Sequence, residues 1–326
     1  MKSAILFTAL GLLCMCAFVA LISFTSNRIL DSNNSRALSK EVPIGSTYGT
    51  TLLLGIFSVT GKKYAERRRY IRDTYLATGD DRICKLEEFK IQAKGKFSQR
   101  RCKIAYTFVI GAGGSDRPND HDDSEPLTLD IDQNGNADEK NDCVYLNIKE
   151  NMEEGKSTTY MKLGASLSDE WGFDYISKID DDSVLAIELL LQLMEDDLPP
   201  MPYNRRTYGG GIWASYAHHH MYAPGQFYFM SADLAHYVSN EITPEDRRKK
   251  MHWRHTEDAD MGSFVFSNER PIKYINLNTQ KIWAHPMKTE KEFRSAWASI
   301  GWKLPQYGVQ FPFGPLCRTW LQGNGV

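Results

Sequence analysis

The stretch FDYISKIDDDSVL, from Phe173 to Leu185, decides the fold that we expect for this chain. It begins as a mostly apolar run typical of a buried strand, and three aspartates, Asp180 to Asp182, follow at once. The apolar residues after them predict a helix from Val184 to Met194, with Ser183 as its N-cap. Three adjacent carboxylates repel one another, so a core strand has little reason to end in them unless a cation compensates their charge.

The segments around this stretch alternate between the two kinds of secondary structure. Apolar runs predict buried strands at Thr51–Val59, Lys103–Gly111 and Cys143–Ile148, and helices are predicted at Tyr64–Ala77 and Glu154–Trp171. Such alternation indicates an α/β domain around a mostly parallel sheet. Ligands of these sheets bind at the carboxyl ends of the strands, which is where the three aspartates lie.

Two acidic groups are candidates for chemistry. The aspartate run suits Mn²⁺ or Mg²⁺, which prefer carboxylate oxygens and bind well where phosphate oxygens complete the shell. The alternative is that Asp182 caps a helix while Asp180 and Asp181 face solvent. Glu257 and Asp258 lead into the apolar run MGSFVF, where a carboxylate can act as a general base or simply mark the acidic start of a helix.

The amino-terminal segment predicts a membrane anchor. Ala4–Phe24 carries no charge and has about the 20 residues that a helix needs to cross a bilayer. We expect a cytosolic tail at residues 1–3, an uncleaved signal anchor at 4–24, a luminal stem at 25–49 and a folded luminal domain at 50–326. A cleaved signal peptide is the alternative, although its apolar region is normally shorter.

The composition limits the compartment and the partners. Outside the anchor the chain has Cys84, Cys102, Cys143 and Cys317, and four cysteines in an oxidising compartment predict two disulfides. Three pairings are possible, of which Cys84 with Cys102 closes a short loop most easily. The formal net charge of -2 argues against nucleic acid as the main partner.

Four segments, in chain order, resemble the successive motifs of the β-1,3-galactosyltransferase family, glycosyltransferase family 31. They are RRRYIRDTY at Arg67–Tyr75, FDYISKIDDDSVL at Phe173–Leu185, MYAPGQFYFMSADLAHYV at Met221–Val238 and EDADMG at Glu257–Gly262. The resemblance implies the GT-A fold, a single Rossmann-like domain that binds nucleotide sugars. Tyr75 departs from the family, which usually has Trp there, and this leaves the acceptor open.

The resemblance also implies a donor site. Asp180 and Asp182 match the aspartates that hold Mn²⁺ (or Mg²⁺) and the donor diphosphate, and His285 looks like the histidine that completes the metal shell. Asp181 is then expected near the ribose of the nucleotide. Arg68 and Arg72 match arginines of the first motif, which lies beside the nucleotide.

For catalysis, the resemblance makes Asp258 the general base and Glu257 its neighbour. The expected activity is that of an inverting hexosyltransferase of the Golgi membrane. It would move galactose or N-acetylglucosamine from a UDP-sugar to a hydroxyl of a glycan, glycoprotein or glycolipid in β-1,3 linkage. The alternatives are a catalytically inactive carbohydrate-binding protein or chaperone with the same fold, and a metal-dependent phosphohydrolase, for which no second metal cluster or nucleophile is evident.

Two further segments carry residues of the kinds that bind metals. Asp130–Asn141 matches a calcium loop at several positions, but Asn141 stands where the bidentate Glu is expected, so a solvated acidic insertion is favoured. The run His218–His220 is interpreted as surface on the acceptor side and not as a second metal site.

Overall fold

The computed structural model describes residues 49–94, 101–111, 142–148, 150, 155–215, 220–250, 257–277, 282–300 and 308–313. The strands are β1 (Leu52–Phe57), β2 (Ile83–Lys85), β3 (Ile104–Gly111), β4 (Cys143–Leu146), β5 (Tyr175–Asp180), β6 (Val184–Leu185), β7 (Thr207–Gly210), β8 (Trp213–Ser215), β9 (His220–Tyr222), β10 (Phe227–Ser231), β11 (Ile272–Asn276), β12 (Trp283–Ala284) and β13 (Gly308–Phe313). The helices are α1 (Lys62–Arg72), α2 (Leu86–Lys94), α3 (Lys156–Trp171), α4 (Ile187–Asp196), α5 (Ala232–His236), α6 (Pro244–Lys250), α7 (Glu257–Phe266) and α8 (Glu290–Ser299), with a π-helical turn at Tyr237–Glu241.

Nine of the described strands form one sheet in the order β13-β11-β7-β10-β5-β1-β3-β2, with β4 also paired to β3. The strands around β1 are parallel, because β1 pairs with β3 and β5, and β3 pairs with β2 and β4. Beyond β5, β10 is antiparallel to both of its neighbours, whereas β7 and β11 are parallel to each other. The predicted α/β class with a mostly parallel central sheet is confirmed.

The core lies in two layers, one on each face of the sheet. Successive side chains of a strand point to opposite faces, so Leu53 and Phe57 of β1 pack with α3 and α7, while Leu52 contributes to the layer with α1, α4 and α8. Every residue of β1 is buried, as predicted from its continuous apolar sequence. At Gly55 a β-carbon would lie 2.3 Å from the ring of Tyr160, so the close packing of α3 on β1 requires glycine there.

The prediction of a helix beginning at Val184 is wrong by three residues. Val184 and Leu185 instead pair with β12 as the short strand β6, and the helix begins at Ile187. The residue before the helix is Ala186, and no side chain caps its first turn, so the prediction of Ser183 as N-cap is also wrong. The pairing with β12 keeps the backbone extended past the aspartates before the chain turns into α4.

Several predictions concern other parts of the chain. The disulfide between Cys84 and Cys102 is present, which confirms that pairing. The anchor, the stem up to residue 48, the calcium-like loop at Asp130–Asn141 and Cys317 lie outside the described residues. Within the ranges given above, no helix is both long enough and apolar enough to cross a membrane.

Candidate active site

The carboxyl ends of β1 and β5 lie side by side, because Phe57 is paired with Asp180. The three aspartates that follow β5 point into three different environments. In each of them a cationic side chain lies against the carboxylate: Lys178 at Asp180, Arg67 at Asp181 and Lys288 at Asp182. The mutual repulsion that the sequence suggested is therefore reduced by the side chains of the protein itself.

Asp180 is the least compensated of the three aspartates. Its Oδ1 atom is buried and accepts no hydrogen bond from the described residues, and the Lys178 ammonium lies 3.4 Å away. Burial raises the pKa of Asp180 to about 6; the attraction of Lys178 opposes this shift, and the carboxylates of Asp258 and Asp182 add to it. A buried carboxylate oxygen in this state has an unused capacity to bind a cation.

Asp181 is held in a buried ion pair with α1. The Arg67 guanidinium lies 2.9 Å from its Oδ1, and the Ser58 hydroxyl donates to its Oδ2 at 2.7 Å. Burial nevertheless raises the pKa of Asp181 above its ordinary value, against these two interactions. Arg68 also lies beside this ion pair, where it donates to the Ser58 hydroxyl at 2.8 Å and to the Val59 carbonyl at 2.7 Å.

Asp182 is contacted by the segment that follows β12. Nδ1 of His285 lies 3.1 Å from Asp182 Oδ1, the ammonium of Lys288 contacts Oδ2, and the Met287 amide donates to the Asp182 carbonyl at 2.7 Å. Burial tends to raise the pKa of Asp182, but its bonds with His285 and Lys288 outweigh this and lower the pKa to about 2. The pairing of β12 with β6 brings His285 to this position, so the structure joins two of the predicted metal ligands.

A buried lysine brings the second acidic motif to the end of β5. The ammonium of Lys178 lies 3.4 Å from Glu257 Oε2 and 3.5 Å from Asp258 Oδ1, in addition to its contact with Asp180. Burial tends to lower the pKa of Lys178, but the three carboxylates outweigh it and raise the pKa well above its ordinary value. No sequence motif predicts a role for Lys178, although it lies two residues before Asp180 and therefore on the same face of β5.

Glu257 and Asp258 differ in access to solvent. The Glu257 side chain is 11% exposed, and its Oε1 accepts a hydrogen bond from the Ser157 amide at 2.9 Å, so it joins the start of α7 to the start of α3. The Asp258 side chain is 33% exposed, against 20% for Asp180. Of the carboxylates around Lys178, Asp258 is therefore the one most able to meet a substrate hydroxyl.

The segment before β10 closes over this pair. A β-carbon on Gly225 would lie 2.5 Å from Lys178 Nζ and 2.7 Å from Asp258 Oδ1, so a side chain at this position would displace one of these two groups. In the preceding hairpin, the ring of His220 is buried, with Nε2 2.5 Å from the Ala259 carbonyl of α7. The interpretation of His218–His220 as surface is therefore wrong for His220, and His218 and His219 lie outside the described residues.

Arg72 forms an ion pair with a carboxylate outside the aspartate run. Its guanidinium forms two hydrogen bonds with Asp142, at 2.8 and 2.9 Å, and stacks 4.7 Å from the centre of the Phe108 ring. This places Arg72 beside the start of β4, whereas the aspartates follow β5. The arginine that meets the aspartates is Arg67, which the sequence analysis did not single out.

The donor set suits Mn²⁺ or Mg²⁺ in type, but it is incomplete as it stands. Asp180 offers a buried oxygen that accepts no hydrogen bond from the described residues, and Asp182 and His285 lie in contact. Nevertheless, no group of three His, Cys, Asp or Glu side chains within the described residues lies close enough to hold a metal ion. The residues therefore fit a metal only if further ligands, such as water molecules or the oxygens of a diphosphate, complete its shell.

Comparison with known proteins adds one observation about the fold. No protein-family model matches the chain, and no curated protein matches it. Among solved structures, it is similar to the galactosyltransferase LgtC in complex with donor and acceptor sugar analogues, with 10% sequence identity and a TM-score of 0.39. The match covers 79% of this chain and 98% of that one.

Proposed function

We propose that this chain is a metal-dependent glycosyltransferase of the GT-A type, which transfers a hexose from a UDP-sugar to an acceptor hydroxyl. The observation that carries the proposal is the meeting of two acidic motifs from distant parts of the sequence. Asp180 at the end of β5 and Asp258 at the start of α7 both contact the ammonium of Lys178. A donor site and a general base must lie side by side in this way for a sugar to pass between two substrates.

On the donor side, Asp180, Asp182 and His285 are the residues that would hold Mn²⁺ or Mg²⁺. The bound cation would stabilise the negative charge that develops on the leaving diphosphate. Arg68, Arg72 and Asp181 are proposed to contribute to nucleotide binding because they match the donor motifs. The ion pair between Arg67 and Asp181 would assist nucleotide binding by fixing the position of the Asp181 carboxylate.

On the acceptor side, Asp258 would take the proton of the attacking hydroxyl. The acceptor oxygen then bonds to the anomeric carbon as the bond to UDP breaks, and this single displacement inverts the configuration. The partial exposure of Asp258 and its place beside Asp180 support this role. Glu257 would hold the start of α7 in place, since its carboxylate contacts the Ser157 amide and Lys178.

The resemblance of the motifs supports galactose or N-acetylglucosamine as the sugar and β-1,3 as the linkage, with a glycan, glycoprotein or glycolipid as the acceptor. We also propose that the protein lies in the Golgi membrane with a single span and a luminal catalytic domain, because Ala4–Phe24 is long and uncharged. A mature amino terminus found near Ser26 would show a cleaved signal peptide instead.

The experiment that tests the activity compares the full-length protein with its Asp258→Asn variant on a panel of UDP-sugars, with Mn²⁺ and with EDTA. The variant keeps shape and hydrogen bonding but loses the proton acceptor. It should lower kcat by roughly 10²–10⁴ and leave binding of UDP with Mn²⁺ unchanged. Asp81→Asn, on an exposed side chain before β2 and outside the four motifs, is the control and should change neither quantity.

Three outcomes would contradict parts of this proposal. Sugar binding without transfer to any acceptor would favour the inactive carbohydrate-binding protein or chaperone. Full activity in EDTA would exclude the metal. An undiminished kcat in Asp258→Asn would remove that residue from the mechanism and leave Glu257 as the next candidate.

A further inference from the structure

Lys178 is one of the most deeply buried charged residues in the described part of the chain, with 2% of its surface exposed. Its ammonium lies 5.0 Å from the centre of the Phe57 ring and 5.8 Å from that of Tyr228, so aromatic rings replace water around it. The remaining neighbours are carboxylates, at 3.4 Å (Asp180), 3.4 Å (Glu257) and 3.5 Å (Asp258).

Stability alone gives a poor reason for this arrangement. A buried ion pair costs the hydration of both charges, and a well-packed apolar side chain of similar volume often serves the fold as well or better. Lys178 also lies on the core-facing side of β5, in line with the apolar Ile176. A methionine would fit the same direction, so the retained charge points to a role in the site.

We propose that Lys178 is a positioning residue that holds the carboxylate of Asp258 beside Asp180 and thereby joins the acceptor side of the site to the donor side. This inference rests on the proposed function, since it assigns Asp258 its place as the base. Lys178 comes from β5 and Asp258 from α7, so the contact fixes one element relative to the other at the reacting position. Glu257 strengthens the link from the same helix.

Gly225 supplies an independent probe of the same contact. Its backbone covers the pair so closely that a β-carbon would lie 2.5 Å from Lys178 Nζ and 2.7 Å from Asp258 Oδ1. Gly225→Ala would therefore push the two groups apart or turn the carboxylate away, without removing any charge. If the position of Asp258 matters, this neutral change should have the same kind of effect as a change of Lys178 itself.

The test uses the full-length protein and three variants: Lys178→Arg, Lys178→Met and Gly225→Ala. Misplacing a catalytic group by about 1 Å costs about 10²-fold in rate. We expect kcat to fall by that order in Gly225→Ala and Lys178→Met, and by less in Lys178→Arg, which keeps the charge. In Gly225→Ala and Lys178→Arg, which keep every charge of the site, affinity for UDP with Mn²⁺, measured by calorimetry, should change by less than about threefold. Lys90→Met, which removes the ion pair with Glu87 within α2, is the matched control and should change neither quantity.

An unchanged kcat in both Gly225→Ala and Lys178→Met would overturn the inference. A loss of UDP affinity in parallel with kcat would also overturn it, because Lys178 would then belong to the donor site. If Lys178→Met does not fold, Gly225→Ala and Lys178→Arg decide between these results.

A readout without turnover separates this inference from the proposed function. Lys178→Arg, Asp258→Asn and the double variant form a cycle of melting temperatures. A contact between the two side chains predicts that the double variant loses less than the sum of the single losses. Additive losses would overturn the inference even if the protein transfers sugar, and non-additive losses would support the contact even if no acceptor is found.

Discussion

Protonation of Asp180 is expected to compete with Mn²⁺, so that the affinity for the metal falls as the pH is lowered through 6. The pKa of this carboxyl is raised to about 6 by burial and by neighbouring carboxylates. About nine-tenths of Asp180 is then ionised at pH 7 and about one-tenth at pH 5, which corresponds to an affinity roughly tenfold weaker at pH 5. An aspartate with an ordinary pKa would show almost no change over this range.

The assay measures free Mn²⁺ by its paramagnetic resonance signal as metal is added at pH 7, 6 and 5. UDP is left out, because a phosphate group also titrates near pH 6. Because His285 is also a proposed metal ligand, the series is repeated with His285→Gln to isolate the contribution of Asp180. The tenfold change should remain in that variant. An affinity that stays constant from pH 5 to pH 7 in His285→Gln would refute the assignment of Asp180.

Stability provides a second readout with a defined sign. The folded-state pKa of Asp180 lies above its ordinary value of 3.8, so its contribution is fully present below pH 3.8 and is lost as the pH rises through 6. Asp180 alone should therefore lower the free energy of unfolding of the metal-free protein by up to about 3 kcal/mol between pH 3.8 and pH 7. Bound Mn²⁺ relieves this cost, so the rise in melting temperature on adding metal should be larger at pH 7 than at pH 5. An equal rise at both pH values would contradict this account.

Two further predictions concern the cations beside the other aspartates. Lys288→Met should raise the affinity for Mn²⁺ several-fold in the same resonance assay, because the ammonium no longer competes for Asp182. A weaker affinity would instead show that Lys288 contributes to metal binding. Arg67→Met should lower the free energy of unfolding by about 3–5 kcal/mol in a urea titration, since it leaves the buried Asp181 carboxylate without its partner. A loss below about 1 kcal/mol would show that Ser58 alone is enough.

The main elements of the fold could be predicted because their patterns are local. Continuous apolar runs gave β1, β3 and β5, and helical spacing gave α3, since burial on two faces or on one stripe leaves a direct trace in the sequence. The start of α4 was misplaced because it depends on the pairing of β6 with β12, and Trp283 of β12 is 98 residues away from Leu185, its partner in β6.

The residue types of the candidate site could be predicted from the sequence, but the pairs that their side chains form could not. Arg67 and Arg68 are neighbours in the sequence, yet only their orientation on α1 decides which of them meets Asp181. Arg72 pairs with Asp142, which directly follows the Asp130–Asn141 segment that was interpreted as an acidic insertion. Long-range pairs of this kind have no local signature.

The charges of the site divide the three aspartates into different roles. Asp181 meets Arg67, and Asp182 meets His285 and Lys288, so these two carboxylates are compensated before any ligand binds. Lys178, by contrast, is shared among three carboxylates, which leaves Asp180 short of positive charge. A cation that binds here therefore gains most at Asp180 and must displace Lys288 to use Asp182 fully. The site therefore lacks positive charge at Asp180, next to the proposed base Asp258. A metal ion with its diphosphate would stabilise the site most at this position.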